Sequence, residues 1–188
     1  MYKRQAYEIR SLARLFGDRT RTLTGGEATE RAFRDLAPRH GILHLATVGS
    51  LNRANPLFSW IDLAPEGDDG RLEVHEIYGL ELDARLVVLS ACETGLGGGA
   101  LTTAPAGDDW VGLTRAFLTA GADNVLASLW RVEDLATARL MEEFYQQLGS
   151  GFAPVNALAA AQRSLILEAD TSHPFYWAGF SLVGEARH

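Results

Sequence analysis

Leu86-Val87-Val88-Leu89-Ser90-Ala91-Cys92-Glu93-Thr94-Gly95 is the stretch on which the reading of this chain turns. Its apolar half predicts a strand buried on both faces, the pattern of a parallel sheet covered by helices. Its second half is a polar, glycine-bearing loop. In open α/β sheets, ligands bind in the crevice beyond the carboxyl ends of the strands. Cys92 stands at that point, where a thiol can be solvated and ionised. A lone cysteine also packs well as a small hydrophobe, so its neighbours must decide between the two roles.

Working outward, Ala84 to Ala91 is the strongest strand of the chain, and alternating helices and strands surround it. Upstream, Ile42-Leu43-His44-Leu45-Ala46-Thr47 predicts a short strand, central in the sheet, closed by Gly49-Ser50. Leu57 to Leu63 reads as a further strand, with a turn at Glu66-Gly67-Asp68-Asp69-Gly70 and a short helix or turn over Val74 to Leu80. Before these, Tyr7, Ile9, Leu12, Leu15 and Phe16 recur at helical spacing, and Glu27 to Leu36 predicts a second helix ended by Pro38 and Gly41. Downstream, Gly95 to Asp109 reads as a loop and Trp110 to Ala120 as a helix capped by Gly121. Asn124 to Leu129 is the next strand, giving a strand–helix–strand crossover. Glu133 to Leu148 and Pro154 to Leu167 predict two helices, the latter with Leu158, Leu165 and Ile166 inward. Phe175 to Val183 reads as a last strand. The expectation is one α/β domain over residues 1–188, with a mostly parallel sheet between helical layers.

Composition narrows the function classes. Lys plus Arg is 17 against Asp plus Glu 24, a net charge of −7, and Lys3 is the only lysine. Such a chain is a poor match for the nucleic acid backbone. One cysteine forms no internal disulfide, which favours a reducing, cytoplasmic setting. No bilayer-length apolar run and no secretory signal are visible. One cysteine and five dispersed histidines offer no structural zinc spacing, and no other cofactor is expected.

Several blocks together carry a family resemblance. They are Ile42 to Thr47, Leu86 to Gly95, Gly112-Leu113-Thr114-Arg115-Ala116-Phe117-Leu118, Ala120-Gly121-Ala122, Ser128-Leu129-Trp130-Arg131-Val132-Glu133-Asp134 and Tyr176-Trp177-Ala178-Gly179-Phe180. In order and spacing they resemble the CHAT domain, a caspase-like, separase-related cysteine peptidase domain often joined to tetratricopeptide repeats. The resemblance implies a caspase-like three-layer fold with a mostly parallel central sheet and helices on both faces. It also implies a first strand that is absent ahead of Tyr7, as in a domain truncated at its N-terminus. It implies a Cys/His dyad acting on a protein or peptide. In such a dyad a thiolate attacks a peptide carbonyl, and the histidine keeps sulfur ionised and protonates the leaving amine. Cys92 falls on the nucleophile position, and Gly49, in the oxyanion region, on the glycine after the family's histidine.

That histidine is replaced. Where the family reads alanine, threonine, histidine, glycine, this chain reads Ala46-Thr47-Val48-Gly49. Valine neither accepts nor donates a proton. His44 lies four residues earlier, roughly 13 Å along a strand, and reads as a core histidine with its ring hydrogen-bonded. His75 and His173 fall in or near loops, and His40 and His188 read as surface. The resemblance further places Asp134, with Glu133 adjacent, where relatives bind a basic side chain of the substrate. A helix N-cap is the competing role. Glu93 and Asp108-Asp109 flank the cysteine loop, where they are candidates to bind a cationic group of the substrate, a solvated loop being the competing role. Gly95-Leu96-Gly97-Gly98-Gly99-Ala100 matches a dinucleotide pattern, but Pro105 and Gly107 prolong the loop where a helix should open.

Three readings follow. In the first, the domain is a catalytically impaired relative kept as a protein-binding or regulatory module. In the second it is an active endopeptidase, with Cys92 as nucleophile, a base from elsewhere and preference for a basic residue before the scissile bond. In the third it is a Rossmann-like nucleotide binder.

Overall fold

The computed structural model describes residues 3–52, 54–90, 92–93, 107–130 and 132–185. The chain opens with helices α1 (Lys3–Phe16) and α2 (Glu30–Leu36). Strands β1 (Ile42–Leu45), β2 (Val48–Ser50), β3 (Trp60–Asp62) and β4 (Arg71–Glu73) follow, then the one-turn helix α3 (Val74–Ile77). Next come β5 (Leu86–Leu89), β6 (Cys92–Glu93), α4 (Gly107–Thr119) and β7 (Asn124–Ser128). The chain then forms α5 (Asp134–Gly149), α6 (Pro154–Leu167), the short α7 (Pro174–Trp177) and β8 (Phe180–Gly184).

The main sheet has the order β1-β5-β7-β8. Its first three strands are parallel, and β8 runs antiparallel to β7. Every residue of β5 and β7 is buried, as the unbroken apolar run of β5 and the apolar centre of β7 require. Alternate side chains enter opposite cores, which follows from the two-residue period of a strand. Val87 and Leu89 join Leu113 and Phe117 of α4 with Val74 and Ile77 of α3. Leu86 and Val88 join Leu12 of α1, Leu140 and Phe144 of α5, and Leu158 and Leu165 of α6. The result is three layers, helix on sheet on helix, the caspase-like α/β architecture.

Local chemistry sets the helix starts. Thr29 Oγ1 accepts the Ala32 N–H at 3.1 Å and begins α2. Glu73 and Glu76 form a reciprocal capping box at α3. Pro154 opens α6, where a missing N–H costs nothing. Gly121 joins α4 to β7 at φ 110°, and a Cβ there would lie 2.1 Å from the Leu82 carbonyl oxygen. Only glycine fits that joint.

The structure corrects several expectations. Ile42–Leu45 lies at the edge of the sheet among the described residues, not at its centre. Ile42-Leu43-His44-Leu45, mostly apolar, reads the same in either place. Leu57–Leu63 is not one strand: Pro56 starts a 3-10 turn through Phe58, and β3 begins only at Trp60. The second predicted helix starts at Glu30, because Thr29 is its cap. Phe175–Val183 splits into α7, opened by Pro174 and capped by the His173 ring, and the antiparallel β8. A short aromatic run does not tell helix from strand by periodicity. Ile166 is 39% exposed rather than inward. Gly107, Asp108 and Asp109 open α4 instead of ending a loop. Residues 94–106, with the rest of that loop and its glycine run, lie outside the described residues.

Candidate functional site

The main ladder between β1 and β5 ends where Leu45 O accepts the Ser90 N–H at 3.1 Å. Beyond it both chains pair again. In the parallel β2–β6 ladder, Val48 stands opposite Cys92 and Gly49 opposite Glu93. Leu45 pairs with Leu89 in the main sheet, so the register carries through the junction unchanged. The two positions are therefore adjacent across a strand spacing of about 4.8 Å. On its other side, β2 pairs antiparallel with β3, in a second small sheet of order β4-β3-β2-β6. Thr47 Oγ1 donates to Asp62 O at 2.6 Å and fixes the chain just before Val48. Val48 is half-buried and Gly49 buried. The side chains of Cys92 and Glu93 lie outside the described residues.

Val48 and Cys92 thus stand just beyond the carboxyl ends of the neighbouring parallel strands β1 and β5. Valine supplies no proton transfer, which is typically worth about 10²–10⁴-fold when positioned.

Each histidine with a described side chain has another partner. His44 Nδ1 lies 2.8 Å from the Tyr145 hydroxyl. Its Nε2 lies 3.1 Å from Glu8 Oε1, at ion-pair distance but out of line for a hydrogen bond. Glu8 Oε2 accepts from Ser90 Oγ at 3.2 Å. Glu8 is only 2% exposed. This buried cluster ties α1 and α5 to the ends of β1 and β5. His40 Nδ1 is 2.8 Å from Leu36 O. His75 pairs with Glu73 at 3.1 Å and rests on Phe58. His173 accepts the Phe175 N–H at 3.2 Å. His188 lies outside the described residues.

Glu8 and Tyr145 were not legible as partners of His44, nor Ser90 as a partner of Glu8. They come from three distant parts of the chain, and no spacing signal links them. Burial first, and the Glu8 carboxylate second, hold the Tyr145 hydroxyl well above the usual tyrosine range. The folded protein therefore keeps this proton where the unfolded chain releases it. The resulting stability is complete below the ordinary value of about 10 and is lost as pH rises beyond it. Tyr145→Phe is expected to flatten that alkaline loss in pH-dependent denaturant titrations. At neutral pH it should cost about 1–3 kcal/mol, because a buried His44 nitrogen loses its partner.

On the rim, Glu133 is the N-cap of α5, its Oε2 accepting the Ala136 N–H at 2.8 Å. Asp134 is the first helical residue and is exposed. Both acids are exposed, and it is Glu133 rather than Asp134 whose side chain caps the helix end. Trp130, 37% exposed, donates from Nε1 to Phe175 O at 3.1 Å. It also lies against Gly179, where a Cβ would come within 3.1 Å of the indole. A cavity of about 690 Å³ runs along β1 between α1 and α2 and reaches Val48.

A three-layer α/β fold with a mostly parallel central sheet defines the class of caspase-like α/β domains. A family model described as "CHAT domain" matches residues 1–185, and the chain belongs to that family. It is similar to "Tetratricopeptide repeat protein 28" of Mus musculus, 38% identical over 113 residues. It is similar also to the protein of that name from Homo sapiens, 35% identical over 113 residues. In each case the match covers 60% of this chain and 4% of the relative's length, so the chain spans a small part of either. No helix among the described residues is long and apolar enough to cross a membrane.

Proposed function

We propose that this CHAT domain serves as a protein-binding or regulatory module in which peptidase chemistry is disabled at Val48. The observation that carries the reading is the register that sets Val48 opposite Cys92. The position a dyad histidine would hold is filled by a side chain that cannot move a proton. His44, the nearest alternative in sequence, is engaged by Tyr145 and Glu8 in the core. The tetratricopeptide repeats in the relatives' names support a setting among protein partners. Asp134, exposed on the rim, is the group we assign to a basic residue of the bound chain.

Retention of Cys92 at the strand end favours one second reading, an active endopeptidase with a base from elsewhere. A thiol-reactive peptide probe ending in arginine separates the two. The module reading expects Cys92 to be labelled no faster than by a small alkylating agent of equal intrinsic reactivity. Rapid labelling that depends on the arginine, and is lost in Asp134→Asn, would favour the peptidase.

A further inference from the structure

Two apolar surfaces are each interrupted by one polar side chain, and the two side chains meet behind the site. Glu8 is the one acid of α1 and stands at helical spacing with Leu12 and Phe16 on the face turned to the core. Ser90 follows directly on the apolar run of β5. Each is 2% exposed, and Ser90 Oγ donates to Glu8 Oε2 at 3.2 Å. A buried acceptor stripped of its donor bears its full desolvation penalty, so this bond resists opening. The helix is itself held in place: Leu12 packs in the core with α5 and α6, and Phe16 meets Tyr145 of α5 edge-on at 5.6 Å.

Ser90 stands where the two sheets part. Through Leu45 and Leu89 the paired segments belong to the main sheet, and from Val48 and Cys92 to the small one. The bond from the Ser90 N–H to Leu45 O is the last rung on the main-sheet side. The backbone of Ser90 is thus tied to β1 and its side chain to α1, two residues before Cys92. The ring closes through His44 of β1, which lies between Tyr145 of α5 and Glu8 of α1.

We propose that Glu8 is a positioning residue for Cys92: through Ser90 it pins the end of β5 to α1 and so fixes the backbone from which the cysteine extends. The carboxylate acts by its hydrogen bond and not by its field at the thiol. Loss of the bond frees the junction to open locally, at a point where only the two-residue β6 continues the strand, and exposes the thiol to reagents more often. The proposal does not rest on the binding-module reading, because it concerns the reactivity of the thiol and not what the crevice holds.

The chain has a single cysteine, so alkylation of the whole chain by iodoacetamide, followed by mass, reads Cys92 alone. Rates are taken per folded molecule and across pH. Ser90→Ala is expected to be alkylated about tenfold faster, the worth of one hydrogen bond to a carboxylate. Glu8→Leu should match it, and the double variant should be no faster than either single one, since all three lack the same bond. Glu8→Gln keeps an acceptor for the Ser90 hydroxyl and should hold the rate within about twofold of the original chain. The pH midpoint of alkylation should stay the same throughout, and His44→Ala should leave the rate unchanged. A folded Ser90→Ala chain with the original rate overturns the proposal, the bond then serving the core alone. A rate that rises alike in Glu8→Leu and Glu8→Gln, with a shifted midpoint, overturns it too, because the charge then acts directly. So does a double variant whose effect is the product of the two single ones. Ser90→Ala and Glu8→Gln decide the matter even where Glu8→Leu does not fold.

Discussion

Val48→His is expected to raise Cys92 reactivity and any peptide cleavage by about 10²–10⁴-fold, the usual worth of a positioned acid–base group. The expectation rests on register. Positions 48 and 92 are direct neighbours in a parallel ladder that continues the β1–β5 pairing without slip. An imidazole at 48 needs no rearrangement of the backbone to stand beside the cysteine. Val48 is half-buried at the end of a cavity, so the larger ring has room. The measurement is the rate of labelling by the arginine-ended probe, with Cys92→Ala in the same background as control. A gain abolished by Cys92→Ala supports the account. No gain in a folded variant would show that more than the base has been lost.

His44→Ala carries the second large effect, and it is on stability. The substitution leaves the Glu8 carboxylate with Ser90 alone, in a side chain that is 1% exposed. Leaving buried polar groups, here the Tyr145 hydroxyl, without their partner costs about 1–3 kcal/mol. For a domain of this size that lowers Tm by roughly 2–12 °C. Double substitution with Glu8→Ala should depart from the sum of the two single changes, because the two side chains are in contact. Alkylation of Cys92 per folded molecule should not change. If His44 served as the base, reactivity would fall with a smaller change in Tm.

The sequence made some of this legible and hid the rest for physical reasons. Leu86–Leu89 and the Val125–Ala127 centre of β7 announce themselves, because short apolar runs bounded by turn signals suit strands buried on both faces. Pro154–Leu167 was bounded by a proline at its first turn and matches α6 end to end. The edge position of β1 was hidden. Its four residues have the composition of a central strand, and the open side is set by what does or does not pair with it. The helix at Pro174–Trp177 was hidden because Phe175, Tyr176 and Trp177 suit a strand as well as a short turn of helix. At the site, the neighbouring of positions 48 and 92 followed from the blocks that resemble the family. The Glu8–His44–Tyr145 cluster did not, since it joins α1, β1 and α5 only in three dimensions. That Glu133 rather than Asp134 caps α5 depended on one hydrogen bond, from Ala136 to Glu133.

The most direct test of the central claim is hydrolysis of an arginine-containing peptide library by the wild-type chain and by Cys92→Ala. The disabled-dyad account predicts indistinguishable product profiles from the two proteins. Cleavage after arginine that is present in the wild-type chain and absent from Cys92→Ala would contradict it.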